Sequence, residues 1–131
     1  MKLQTATRLG LYATLELARD PAQTLSAADL AGRFGVSTHH LAKVLRTLST
    51  AGLVQAERGA SGGYRFAGNR RRITLMDIVA LFEPVPGRRA KEPGEDTVIG
   101  CALQRVLTEI DEIAEATLRS ISLETMLKPA Q

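Results

Sequence analysis

The segment "ERGASGGYRF", residues 57–66, sets three glycines and a serine between Arg58 and Arg65. Glycine beside positive charge is the composition of a phosphate cradle, because backbone without Cβ atoms can present its N–H groups to an anion. Neither common cradle fits the spacing. A Walker loop places Lys-Ser or Lys-Thr after its last glycine and then a helix, whereas Tyr64 and a β-prone run follow here. The G-x-G-x-x-G of a dinucleotide fingerprint is absent. Two further places could do chemistry. His39 and His40 are adjacent, and neighbours on a helix point about 100° apart, which makes a poor chelate. Cys101 is the single cysteine, so no intramolecular disulfide forms. It is either a small packed side chain or a thiol sensor activated by a helix start, with Arg88 and Arg89 able to strengthen that effect by folding back. No motif pairs catalytic carboxylates, a nucleophile with a base, or a set of metal ligands, so enzyme is the weakest class.

The elements that position these residues follow from periodicity. The chain has 131 residues, 44% of them apolar, enough for one domain with a real core. No run of eighteen apolar residues spans a membrane, and "MKLQTATRLG" lacks a signal-peptide core, so the expected location is the cytoplasm. The net charge of +3 hides a split. Residues 1–72 carry eleven Lys/Arg against four Asp/Glu, while residues 73–131 carry six against ten. The basic half is an electrostatic footprint for a polyanion or a solvated face, and the scaffold decides which.

Residues 5–19 read as a helix closed by Pro21. Ser26 then caps "AADLAGRF", which Gly35 stops, and Ser37 caps "THHLAKVLRTLSTA", which Gly52 ends. Helix, glycine turn and helix make a helix-turn-helix, whose second helix enters the major groove by its N-terminal residues. Residues 53–57 and 64–67 are β-prone and the glycine segment joins them. The fold expected is therefore mainly α with a small β-wing: a winged helix-turn-helix. The wing glycines allow a tight turn and a close backbone approach, with Arg58 and Arg65 placed for phosphates or the minor groove. The run Arg70–Arg72 either adds phosphate contacts or is a solvated connector, and Thr74 caps a further helix with Asp77. In that helix Met76, Ile78, Val79, Leu81 and Phe82 are expected in the core.

"GVSTHHLAKVLRTLSTAGLV", "RGASGGYRFA" and "ITLMDIVALFEP" resemble, in order, the signatures of the Rrf-two (Rrf2) family, which includes the cluster-sensing regulators IscR and NsrR. "MKLQTATRLGLYA" and "ISLETML" fit as well, so the resemblance covers nearly the whole chain. It implies a homodimeric winged-helix transcription factor that often represses its promoters. By that similarity Ser37, Thr38, His39, His40 and Lys43 lie where the recognition helix faces DNA, and Arg58 lies in the wing. Each either touches a base edge or only the backbone.

The second half reads as one long helix from about Thr97 to Ser120. Ile99, Leu103, Val106, Ile110, Ile113 and Thr117 alternate spacings of four and three, and Leu107, Ala114 and Ile121 widen the stripe. The simplest partner is the same helix of a second subunit, which predicts a homodimer on a near-palindromic operator in double-stranded DNA; packing against the chain's own winged domain is the other way to consume part of the stripe. The expected organisation is 1–82 DNA-binding domain, 83–97 sensor-type loop, and 98–131 dimerisation helix and C-terminal tail.

In cluster-binding relatives the loop carries three cysteines, and Cys101 falls at the last position, with Ala90 and Glu95 near the other two. Some relatives add an acidic ligand from across the dimer; Arg8 stands there in this chain. An iron–sulfur cluster takes about four ligands. Two Cys101 thiolates supply two, and Glu92, Glu95 or Asp96 would have to complete the set, so no cofactor is expected. The leading reading is a homodimeric, sequence-specific DNA-binding repressor without a cluster and with its effector unknown, the options being a small molecule held between loop and wing domain or a redox signal at Cys101. The alternatives are a thiol sensor through Cys101 and a winged-helix adaptor that binds protein instead of DNA.

Overall fold

A computed structural model describes residues 3–59, 62–84 and 91–128. Ala60 and Ser61 of the wing, and Pro86, Gly87, Arg88, Arg89 and Ala90 of the loop, lie outside the described residues. The element order is α1 (Thr5–Arg19), α2 (Ala27–Phe34), α3 (Thr38–Thr50), β1 (Val54–Glu57), β2 (Gly63–Phe66), α4 (Leu75–Phe82), α5 (Val98–Arg119) and α6 (Leu123–Leu127).

Local chemistry sets most of the boundaries. Ser26 accepts from the Asp29 N–H at 3.0 Å while Asp29 accepts from the Ser26 N–H at 3.0 Å, a reciprocal capping box that starts α2. Thr74 and Asp77 repeat the device at α4. Ser37 caps α3 through the His40 N–H at 3.1 Å, and Thr97 caps α5 through the Gly100 N–H at 2.9 Å. α2 ends at Gly35 in the left-handed conformation, with φ at 68°.

One cluster forms the core. Leu9, Ala13 and Leu17 of α1 meet Leu30 of α2, the α3 row Leu41, Val44, Leu45 and Leu48, and the inner ends of the wing, Val54 and Phe66. α4 adds Ile78, and α6 inserts Leu123, fully buried, beside α1. Burying a leucine-sized side chain contributes about 1.5–3 kcal/mol, so this row holds α3 rigidly against α1 and α2.

β1 and β2 pair antiparallel in the register Val54↔Phe66 through Glu57↔Gly63. A single-residue bridge, Leu25↔Tyr64, adds the turn before α2 as a third partner. The Tyr64 N–H donates to the Leu25 carbonyl at 2.7 Å, and the Leu25 N–H returns to Tyr64 at 3.0 Å. The wing is thus tied to the helix-turn-helix, a link with no local signature in the sequence.

Three features differ from the sequence-based expectations. The second strand begins at Gly63 rather than at residue 64, and the first at Val54 rather than at residue 53. Leu81, expected in the core, is exposed at 37%, because the face of α4 that packs inward is carried by Leu75, Ile78 and Val79. The chain after α5 is not a plain tail: Ile121 to Glu124 returns to pair with the segment before α4, and α6 packs on α1. α5 itself has no buried residue, with Ile99 78%, Leu103 57%, Val106 52% and Ile113 61% exposed.

Candidate nucleic-acid interface

α3 buries Leu41, Val44, Leu45 and Leu48, which turns Thr38, His39, Lys43 and Arg46 outward; His40 is half-buried. Positions 39, 43 and 46 follow spacings of four and three, so they stand in one row along the exposed face. α3 contains no Asp or Glu. Among the described residues, the side chains of His39, Lys43 and Arg46 make no ion pair or side-chain hydrogen bond. On the neighbouring helices Arg19 and Arg33, by contrast, converge on Glu16. Lys43 and Arg46, without internal partners among the described residues, hold their full charge for an external anion. At the start of the row, the Ser37 oxygen accepts the His40 N–H, which leaves the hydroxyl hydrogen able to donate outward. The helix N-terminus adds its partial positive charge at the same place.

The glycines of the wing divide between two tasks. Gly59 has φ at 119°, a conformation that L side chains rarely adopt, so the turn after Arg58 requires it. Gly63 lies against the helix-turn-helix: a Cβ there would stand 2.5 Å from the Leu25 carbonyl oxygen. That glycine serves a close approach within the chain itself. Arg58 is exposed at the mouth of the turn and has no ion-pair partner among the described residues.

Arg65 is placed differently from Arg58. Its Nε donates to Glu57 Oε1 at 2.8 Å and its Nη2 to Gln55 Oε1 at 3.2 Å, so it braces the two strands on one face of the wing. The structure therefore brings Ser37, Thr38, His39, His40 and Lys43 together on one helix start, sets Arg58 on the wing, and commits Arg65 to its neighbours. Arg46 escaped the sequence reading, although its place three residues after Lys43 on an amphipathic helix signals the same face.

Cys101 lies one turn into α5, exposed, with its Sγ donating to the Glu95 carbonyl oxygen at 3.5 Å. In the single chain its side chain is exposed and not packed into the core. A groove of about 850 Å³ runs beside it, lined by Lys91, Asp96, Gln104, Arg105 and Glu109 among others. This groove lies between the loop and α5, not between the loop and the wing domain. Among the described residues no helix is long and apolar enough to cross a membrane.

Residues 3–129 match the Rrf2 family, described as iron-dependent transcriptional regulators. The donor set does not fit an iron–sulfur centre: the chain has one cysteine, and among the described residues no three His, Cys, Asp or Glu side chains gather to hold a metal ion. Over 128 residues the chain is 50% identical to BadM, described as an HTH-type transcriptional regulator, of Rhodopseudomonas palustris, covering 98% of this chain and 82% of that protein. It superposes on CymR (YrzC), the global cysteine regulator of B. subtilis, with a TM-score of 0.76 at 30% identity over 97% of this chain and 96% of the other. T. potens IscR gives a TM-score of 0.76 at 29% identity, covering 100% of this chain and 93% of its own. The winged helix, carried on a chain that matches one family almost end to end, is a member of the Rrf2 family of transcriptional regulators.

Proposed function

We propose that the protein is a cytoplasmic, homodimeric, sequence-specific DNA-binding repressor that works without an iron–sulfur cluster, and not an enzyme. The observation that carries this reading is the acid-free row on α3, together with Arg58 of the wing, neither paired with any carboxylate among the described residues. In the major groove, Thr38 and His39 meet base edges near the start of α3, with Ser37 and His40 securing its first turn against the backbone. Lys43 and Arg46 neutralise phosphates along the groove, and Arg58 reaches the flanking backbone or minor groove. Arg65 supports the wing through Glu57 and reaches DNA only by exchanging that partner. Two such units joined through α5 read a near-palindromic operator.

Binding of a labelled duplex, followed by anisotropy across a salt series, tests the reading. Each phosphate contact steepens the fall of log affinity with log salt by about 0.9. Lys43→Ala, Arg46→Ala and Arg58→Ala should each weaken binding and flatten that slope by about one contact. Binding that ignores salt would leave the protein-adaptor alternative in its place.

One observation favours a second reading of the input. Cys101 is exposed at the first turns of α5, where oxidation or capping of the thiol would break its contact with Glu95 and add bulk beside the loop. In that reading the regulator senses thiol chemistry, and peroxide changes operator affinity in the wild type but not in Cys101→Ser. A small molecule in the groove beside Cys101 is the other input, tested by the same operator-binding assay with candidate effectors.

A further inference from the structure

The run "NRRRIT", residues 69–74, has the composition of a set of phosphate contacts, but the fold sorts its arginines. Arg71 and Arg72 are exposed. Arg70 donates through Nη1 to the carbonyl oxygen of Ala18 at 3.0 Å, in the last turn of α1. That carbonyl belongs to the helix end and has no partner within the helix. The Arg70 Nε stands 3.3 Å from Oε2 of Glu124 on α6. The backbone around it is stitched to the same place. The Glu124 N–H donates to the Arg70 carbonyl at 3.0 Å, the Leu123 N–H to Ile73 at 2.9 Å, and the Leu75 N–H to Ile121 at 2.9 Å.

Arg70 stands four residues beyond Phe66, the last residue of β2. One side chain therefore joins the wing's return strand, the end of α1 and the junction where α5 turns into α6. The planar guanidinium suits this, because its donors lie in a fixed fork and reach two acceptors on separate elements.

We infer that Arg70 is a positioning residue for the wing, acting through Glu124 and Ala18, and not a phosphate ligand. It fixes where β2, paired with the strand that leads into Arg58, stands relative to α1 and α6. The inference rests on the DNA-binding reading proposed above. The side chains of Arg70 and Glu124 are each 34% exposed, so their ion pair adds little to global stability and its consequence is geometric.

The two roles predict opposite signs for Glu124→Gln. That change removes a negative charge and weakens the hold on Arg70, which keeps only a neutral amide oxygen and the Ala18 carbonyl as acceptors. A phosphate-binding Arg70 would then hold a duplex more tightly, as would the more positive protein. A clamp would hold it less tightly, because the wing is no longer set.

The test uses the full chain and a fluorescein-labelled duplex of mixed sequence at low salt, comparing wild type, Glu124→Gln, Arg58→Ala and the double variant. The expected result is about a threefold or greater loss of affinity for Glu124→Gln, and a clearly smaller effect of Arg58→Ala in the Glu124→Gln background. Distant sites without shared partners combine additively, so a shortfall in the double variant reports positioning and not a separate loss of stability. Arg70→Lys keeps the charge but not the fork, and should reproduce the Glu124→Gln result if that variant proves unstable on thermal melting. Unchanged or tighter binding by Glu124→Gln, or effects that multiply, would overturn the clamp while leaving the DNA reading intact. Loss of salt-dependent binding in the wild type itself would remove the DNA reading, and the clamp with it.

Discussion

Replacing Ile110 by Asp asks whether α5 is the seam of a dimer. Ile110 belongs to the stripe that runs from Ile99 to Thr117 and is 48% exposed in the single chain. About half of its side chain therefore remains to be covered. Full burial of such a side chain contributes about 1.5–3 kcal/mol, so covering half contributes about 1 kcal/mol per subunit. A two-fold seam uses each residue twice, which makes about 2 kcal/mol lost from contacts alone. The two carboxylates then face an apolar seam without a cation, and burying unpaired charge adds several kcal/mol more. A total of about 5 kcal/mol raises the dimer dissociation constant by more than three decades. Sedimentation equilibrium should show wild-type dimer and Ile110→Asp monomer at micromolar concentration. Thr108→Asp is the control: Thr108 bonds to Gln104 beside the polar groove on the other side of α5, and this variant should stay dimeric. A wild-type monomer, or a fully dimeric Ile110→Asp, would refute the reasoning.

Further expected outcomes concern the fold that carries the DNA face. The Ser26 backbone N–H and hydroxyl, with help from Arg33, hold the Asp29 carboxyl below its ordinary value of 3.8. A lowered folded-state value means that this cap stabilises fully above that pH and fades as pH falls beneath it. Asp29→Asn should accordingly melt below the wild type at neutral pH, with the gap closing in acid. Gly63→Ala sets a Cβ 2.5 Å from the Leu25 carbonyl oxygen, so it should break the Leu25–Tyr64 bridge and raise amide exchange at Tyr64. Thr7 is fully buried and its hydroxyl has no hydrogen-bond partner among the described residues. Thr7→Val, of the same shape, should raise stability by about 1 kcal/mol in urea titration.

The parts whose causes are local are legible in the residues themselves. Ser26, Ser37 and Thr74 announce helix starts because each bonds to a backbone N–H three residues on, and Gly35 announces a stop through its left-handed backbone. The apolar spacing of α3 settled which side faces the core, and so which residues face outward as candidates for DNA. Tertiary structure alone decided the rest, because it depends on partners far along the chain. Tyr64 meets Leu25, Arg70 meets Ala18 and Glu124, and Leu123 returns to the core beside α1. Arg58 and Arg65 look equivalent in the sequence, flanking the same glycines. Only the antiparallel register, which stands Arg65 opposite Gln55 and within reach of Glu57, gives one a partner and leaves the other open to solvent. Charge is a local property of the chain, but whether a charge is already answered is a property of the fold.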